Sequence, residues 1–368
     1  MTAILITPNN LDKIPLHCDD ADYIKAMITH TPAHYINNVH AQYLAILIND
    51  QLLPLTLNSY HKHNSFVCSL YTALINSPQA SISNPLLNGT LTLLGKILNL
   101  FKIDNVIFVN NFLTGTNLHT RQLTLEELSE IHALLIKAFP SHSHVYRSIQ
   151  DSYLSPQQNA LTSLGYYLSP TMNAYIFNPN DNLQQRRDNK RDLTLLKNTS
   201  LTVLQHDDIH PEHYGRIAEL YQQLFITQYS TLNPQLNAHF IALTHQKRFF
   251  DFTALYCEQS KKVMGFTAIK HKGNMLTNPI VGYDTCAPQS LGLYRILYAL
   301  NLQTCFQKRL RLHCGTGVKH FKTSRGAKEH REFGAIAFQH LPRYRRYFWQ
   351  VTLTLIHWSS EKFLKKTS

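Results

Sequence analysis

Acidic residues are scarce: 23 Asp and Glu stand against 35 Lys and Arg in 368 residues, a net charge of +12. All charged residues together make up only 16% of the chain, so its surface polarity rests on Asn, Gln, Ser, Thr and 21 His. Gly and Pro number only 13 and 15, which excludes collagen-like and linker-type architectures. The six cysteines, Cys18, Cys68, Cys257, Cys286, Cys305 and Cys314, are too few for a disulfide scaffold, and no two have zinc-knuckle spacing. The pairs His61/His63 and His142/His144 lack the Cys or carboxylate company of a metal centre, so no metal is expected. No apolar run reaches 18 residues, because Asn88, Lys96, Lys102 and Asp104 interrupt the longest stretch. The first residues, MTAILITPNN, carry no basic segment of a secretory signal. The expectation is a cytoplasmic protein with no membrane span. Serine-hydrolase elbows, Walker loops and dinucleotide fingerprints are likewise missing.

What the chain does have is apolar mass. Hydrophobic residues reach 44% and aromatics 11%, enough for a large core and about two domains at this length. The positive balance favours anionic partners without naming one. Two apolar runs around Asn49-Asp50 predict a hairpin, and Ser65–Leu70 a further short strand. Leu91–Phe101 is expected to be helical and Asn105–Asn110 a buried strand. Thr124 with Glu127 forms a capping-box start to a helix. The second half alternates helix, three strands, helix, strand and helix, the order of an α/β layered domain. A charge-dense run, Arg186–Asp192, marks the junction, giving lobes 1–185 and 186–368.

Four segments of the second half then resemble one family. They are the basic run Arg186-Arg-Asp-Asn-Lys-Arg, the strand Val263-Met-Gly-Phe, the passage Gly282-Tyr-Asp to Leu291-Gly-Leu-Tyr-Arg-Ile-Leu, and Gly315-Thr-Gly-Val-Lys-His-Phe-Lys-Thr-Ser-Arg-Gly. In order and spacing they resemble the GNAT acyltransferases, in particular the double-GNAT branch with the Fem-type aminoacyl transferases and peptidoglycan-biosynthesis relatives. The resemblance implies an α/β (α+β) protein of two GNAT-like lobes, each a mixed, mostly antiparallel sheet flanked by helices. It implies transfer of an acyl group from acyl-CoA, acetyl-CoA included, to a small-molecule or peptide amine. Two alternatives stand beside it: a Fem-type transferase fed by aminoacyl-tRNA, and a non-catalytic binding module.

Such chemistry needs a polarised carbonyl, a neutral amine and a seat for the donor's phosphates. Asp284 and His313 are candidates to take the amine proton, and Tyr283 to donate to the leaving thiolate. Each also has a plain structural reading, as turn residue, satisfied histidine or core aromatic. Gln289, Gly292, Lys322 and Arg325 are the candidates for cofactor binding. The phosphate pattern departs from the family's, since Tyr294 stands where a small residue belongs. His313 and Cys314 stand where relatives carry an acidic residue. Arg343, Arg345 and Arg346, interleaved with Tyr344, Tyr347, Phe348 and Trp349, suit a grip on RNA or a membrane face, and suit better a C-terminal strand edge packing on the core.

Overall fold

The computed structural model describes residues 2–77, 84–119, 121–150 and 155–366. Twelve strands of the described residues join in one sheet. In the first half they are β1 (Ile4–Ile6), β2 (Gln42–Ile48), β3 (Gln51–Asn58), β4 (Val106–Val109), β5 (Ser143–Gln150) and β6 (Tyr167–Phe177). In the second they are β7 (Thr202–Leu204), β8 (Asp251–Cys257), β9 (Lys262–Lys272), β10 (Met275–Tyr283), β11 (Arg311–His313) and β12 (Lys328–Ala337). The spatial order is β1-β2-β3-β4-β5-β12-β6-β11-β10-β9-β8-β7. Each half therefore lends its last strand to the other. β12 lies between β5 and β6, and β6 lies between β12 and β11. Every neighbouring pair is antiparallel except β4 with β5 and β10 with β11, which occupy equivalent places in the two halves.

Among the described residues, ten α-helices cover the sheet: α1 (Ala21–His30), α2 (Pro85–Leu100), α3 (Leu125–Ala138), α4 (Ser155–Ser163) and α5 (Arg187–Lys197), then α6 (Tyr214–Tyr221), α7 (Ala238–Gln246), α8 (Leu293–Lys308), α9 (Lys319–Ser324) and α10 (Arg343–Lys366). Strand alternation sends one set of side chains to α3, α4 and α8. The other set packs under α1, α6 and α7 in the largest core cluster, to which both halves contribute. Local rules explain most elements. Asn49 and Asp50 turn the β2–β3 hairpin with φ of 45° and 60°. Thr124 and Glu127 cap α3 reciprocally, as their spacing predicts.

Two expectations fail. Residues 65–70 are turns leading into a helical segment, Thr72–Asn76. Their N–H groups bond outside any ladder: those of Ser65 and Phe66 donate to the carbonyls of Asn38 and Leu232, and those of Cys68 and Ser69 to the Ser65 carbonyl. Residues 343–349 begin the helix α10 rather than a strand edge. Arg345, Trp349 and Leu353 recur every four residues and are buried together on one helical face. The Arg345 guanidinium donates to the carbonyls of Phe101, Lys102 and Ser141.

Candidate functional site

The parallel strands β10 and β11 pair only over Met275–Thr277 and Arg311–His313. Beyond Thr277 the register of β10 slips, and the Asn278 amide holds the irregularity by donating to Thr267 Oγ1, Ala268 O and Ile280 O. β10 continues to Tyr283 against β9, while the chain leaves β11 through Cys314-Gly-Thr-Gly. Gly315 and Gly317 have φ of 61° and 77°, which suits glycine in that turn. The strands thus part at Thr277 and His313, and the two faces of the sheet present different chemistry there.

On the α8 face the opening is lined with rings. Tyr294 lies 5.9 Å from Tyr283, 5.8 Å from Tyr298 and 4.9 Å from Phe321, between ring centroids. Cys314 packs into the same cluster, and burial raises its thiol pKa. Lys322 is buried beneath the turn, where its ammonium donates to the carbonyls of Cys314, Gly315 and Thr316. Burial lowers its pKa to about 8. Arg325 lies flat on Phe321 and donates to Asp192, whose other oxygen accepts from Arg295. Gly292 enters α8 at φ 61°, where a Cβ would stand 2.5 Å from Leu195 of α5. Gln289 opens the short turn before it. Gln289 and Gly292 therefore stand at the start of α8, whereas the Lys322 and Arg325 side chains are buried in local hydrogen bonds.

Asp284 closes β10. Its carboxylate accepts from Arg216 at 2.7 Å and from the Cys286 N–H at 3.0 Å. Tyr283 is half-buried beside Tyr294, and burial raises its pKa. His313 points to the opposite face, away from both.

That opposite face carries a buried polar stripe. His313 Nδ1 accepts the Gly315 N–H at 3.1 Å, so the neutral ring carries its hydrogen on Nε2. Nε2 faces Oε2 of Glu332 at 3.5 Å across β6, with both side chains almost fully buried. His313 Nε2, Glu332 Oε2, Thr277 Oγ1, His119 Nδ1 and both amide atoms of Gln150 have no hydrogen-bond partner among the described residues. Each such orphan costs free energy in a sealed core, so their concentration in one stripe marks a site. Burial lowers the His119 pKa, although its bond to the Arg147 carbonyl and the charge of Glu332 pull it upward. Burial likewise brings Arg147 down to about 10. The Arg147 guanidinium holds the covering loop, residues 110–119, by donating to Asn111 Oδ1 at 2.7 Å.

The stripe runs toward the junction of the halves. Thr277 lines a small cavity with Phe112, Thr114, Asn117, Lys270 and Lys272. Lys270 and Lys272 also line a larger one of about 550 Å³, beside Asp20 and Tyr23. Asp20 pairs with both lysines, tying the segment before α1 to β9. Burial alone would raise the Asp20 carboxyl, but Lys272 and Lys270 hold it below its ordinary value. Another cavity, of about 320 Å³ between residues 179–185 and Arg309, lies away from the strand opening. Among the described residues, no group of three His, Cys, Asp or Glu is placed to hold a metal. No described helix is long and apolar enough to cross a membrane.

No known family's sequence profile matches the chain, and no curated protein matches it in sequence. Solved structures do. FemX superposes with a TM-score of 0.54 at 8% identity, covering 96% of this chain and 100% of its own. This is a double-GNAT, Fem-like fold. A tandem GNAT protein from the clavulanic acid biosynthesis pathway covers 91% of this chain and 97% of its own at 10% identity, with a TM-score of 0.41. L-PGS from Bacillus licheniformis covers 62% and 77%, at 10% identity and a TM-score of 0.44. Glu332, His119 and the Asp20–Lys270–Lys272 clasp went unnoticed in the sequence. Their only linear signals were an acidic residue within a basic stretch and lysines two apart on a strand.

Proposed function

We propose that the protein is an N-acyltransferase in which an amine attacks an activated acyl carbonyl directly, without an acyl-enzyme. The single observation that carries this reading is the orphaned His313–Glu332 pair at the point where β10 and β11 part. Since Nδ1 of His313 is occupied, we assign Glu332 as the proton acceptor, with His313 Nε2–H facing its carboxylate at 3.5 Å. The amine gives its proton to Glu332 as the C–N bond forms. The carbonyl–sulfur bond then breaks, the leaving thiolate takes up a proton from solvent, and Glu332 releases its own to solvent. The inter-lobe cavity next to Thr277 is the proposed route for the acceptor, and the α8 face the proposed side for the donor. Asp284, paired with Arg216, and Tyr283 shape the end of β10. Lys322 and Arg325 keep the wall of the donor opening in place around Gln289 and Gly292. We take residues 1–185 and 186–368 as the two lobes, and acyl-CoA in the reducing cytoplasm as the donor. The six cysteines are free thiols, which suits that compartment.

A second donor has an observation of its own. Tyr294, packed on Phe321, fills the place of a small residue at the start of α8, and FemX matches 96% of this chain. Both favour an aminoacyl-tRNA ester, whose acyl carbon needs no pantetheine arm threaded past α8.

The test is amine-dependent CoA release across a panel of acyl-CoA donors, followed by mass spectrometry. Glu332→Gln and His313→Gln should each lower kcat by about 10²- to 10⁴-fold with unchanged circular dichroism. Wild-type rates in both variants would overturn the assignment. Inactivity with every acyl-CoA but turnover of charged tRNA would select the second donor.

A further inference from the structure

The helix α2 is apolar where it should be polar. Leu98, Gly95 and Leu91 face inward. The outward face at the same helical spacing carries Leu86, Leu93, Ile97 and Leu100, exposed by 81%, 61%, 39% and 76%. Next to it, α10 turns Tyr344, Tyr347 and Val351 to the surface at i, i+3 and i+7. Phe101 joins the two helices, stacking on Phe348 at 4.3 Å and meeting Tyr344 at 6.2 Å. The result is one continuous apolar and aromatic patch, far richer than scattered surface leucines.

Charge decides what covers it. No Asp or Glu occurs between Asp50 and Asp104, or between Glu332 and Glu361, the two stretches that build this face. Asp104 itself is buried, accepting from Ser69 and the Tyr71 N–H. The cations Lys96, Lys102, Arg343 and Arg346 stand along the patch with no acidic residue beside them in either stretch. A second copy of the chain would bring basic rim onto basic rim, which disfavours a symmetric dimer. An anionic bilayer meets both features, since leucines enter the acyl boundary while lysines and arginines meet the headgroups.

We infer that this face, formed by α2 and the first turns of α10, docks the protein on the surface of an anionic lipid bilayer. The helices lie in the interface and do not cross it. This docking is independent of the proposed chemistry, because none of its residues belongs to the site around His313 and Glu332.

The experiment is co-sedimentation with large unilamellar vesicles, either of phosphatidylcholine alone or with one third phosphatidylglycerol. Full-length protein should bind the mixed vesicles at least tenfold more strongly, and lose that preference in high salt. Leu93→Ser with Leu100→Ser, both at exposed positions, should lower partitioning at least tenfold while the melting temperature holds. Lys96→Gln with Arg343→Gln should lower it about fivefold per cation removed. Light scattering without vesicles reports self-association. Equal weak binding to both vesicles would overturn the inference, as would a dimer dispersed by the leucine variants.

Discussion

Gly282 sits where sheet and helix touch. A Cβ there would lie 2.6 Å from the Phe266 ring and 2.7 Å from the main chain of Leu220 and Tyr221. Backbone cannot step aside as a flexible side chain can, so α6 and β10 can approach this closely only at glycine. Gly282→Ala should cost about 3 kcal/mol, measurable as a lower urea midpoint. A change within experimental error would mean that α6 is free to shift. In the sequence this glycine stands in one of the four segments that resemble the GNAT family. The neighbour it admits is a helix 60 residues earlier in the chain, which linear spacing does not reveal. His313 illustrates the converse. Its type and place at a strand end were legible, but its partner Glu332 lies on a strand lent to the other half. Asp284 was equally visible, while the Arg216 that occupies it comes from α6.

At the scale of elements, capping and alternation made most of the fold readable. The hairpin, the capped α3, the β8–β9 pair and α8 all follow from local pattern. The failures fell where tertiary bonding overrides it. Ser65–Leu70 has strand-like residues, yet its N–H groups go to the Asn38 and Leu232 carbonyls and to turns closing on Ser65. The C-terminal arginines and aromatics alternate like a strand, yet Arg345, Trp349 and Leu353 bury as a helix. On β5, His144 shows what burial does to a titrating element. Both its ring nitrogens are buried without a hydrogen-bond partner among the described residues, and it stacks on His340 at 4.6 Å. Burial holds its pKa well below the ordinary value, and the neighbouring His340, His132 and His142 depress it further. Above pH 7 the imidazole is neutral in folded and unfolded chains alike. Below about 6.5 the unfolded chain takes the proton and the folded one does not, so stability falls by up to about 1.4 kcal/mol per pH unit. Urea midpoints should therefore drop from pH 7 to pH 5, and His144→Leu should flatten that slope. Identical slopes would place the loss elsewhere.

For the molecule as a whole, the exchange of β6 and β12 matters most. Residues 1–185 alone lack β12, and residues 186–368 alone lack β6. Each half would leave open strand edges where the native sheet has partners. Expressed separately, the halves should be insoluble or unfolded. Expressed together, they should form a soluble complex that elutes at the size of the full chain and melts in one transition. A half that is soluble and folded alone would show that the exchanged strand is dispensable. The sequence suggested two similar lobes, but β12 lies more than 170 residues from its neighbour β5, and no periodicity records that pairing.

The same exchange constrains birth on the ribosome. β5 and β6 emerge early, yet the strand that separates them comes only near residue 337. Until then the nascent chain holds the middle of its sheet ajar, and the two strands are free to pair with each other or with a stranger. A slow final stretch of translation lengthens that exposure, whereas a holdase that covers β5 until β12 arrives removes it.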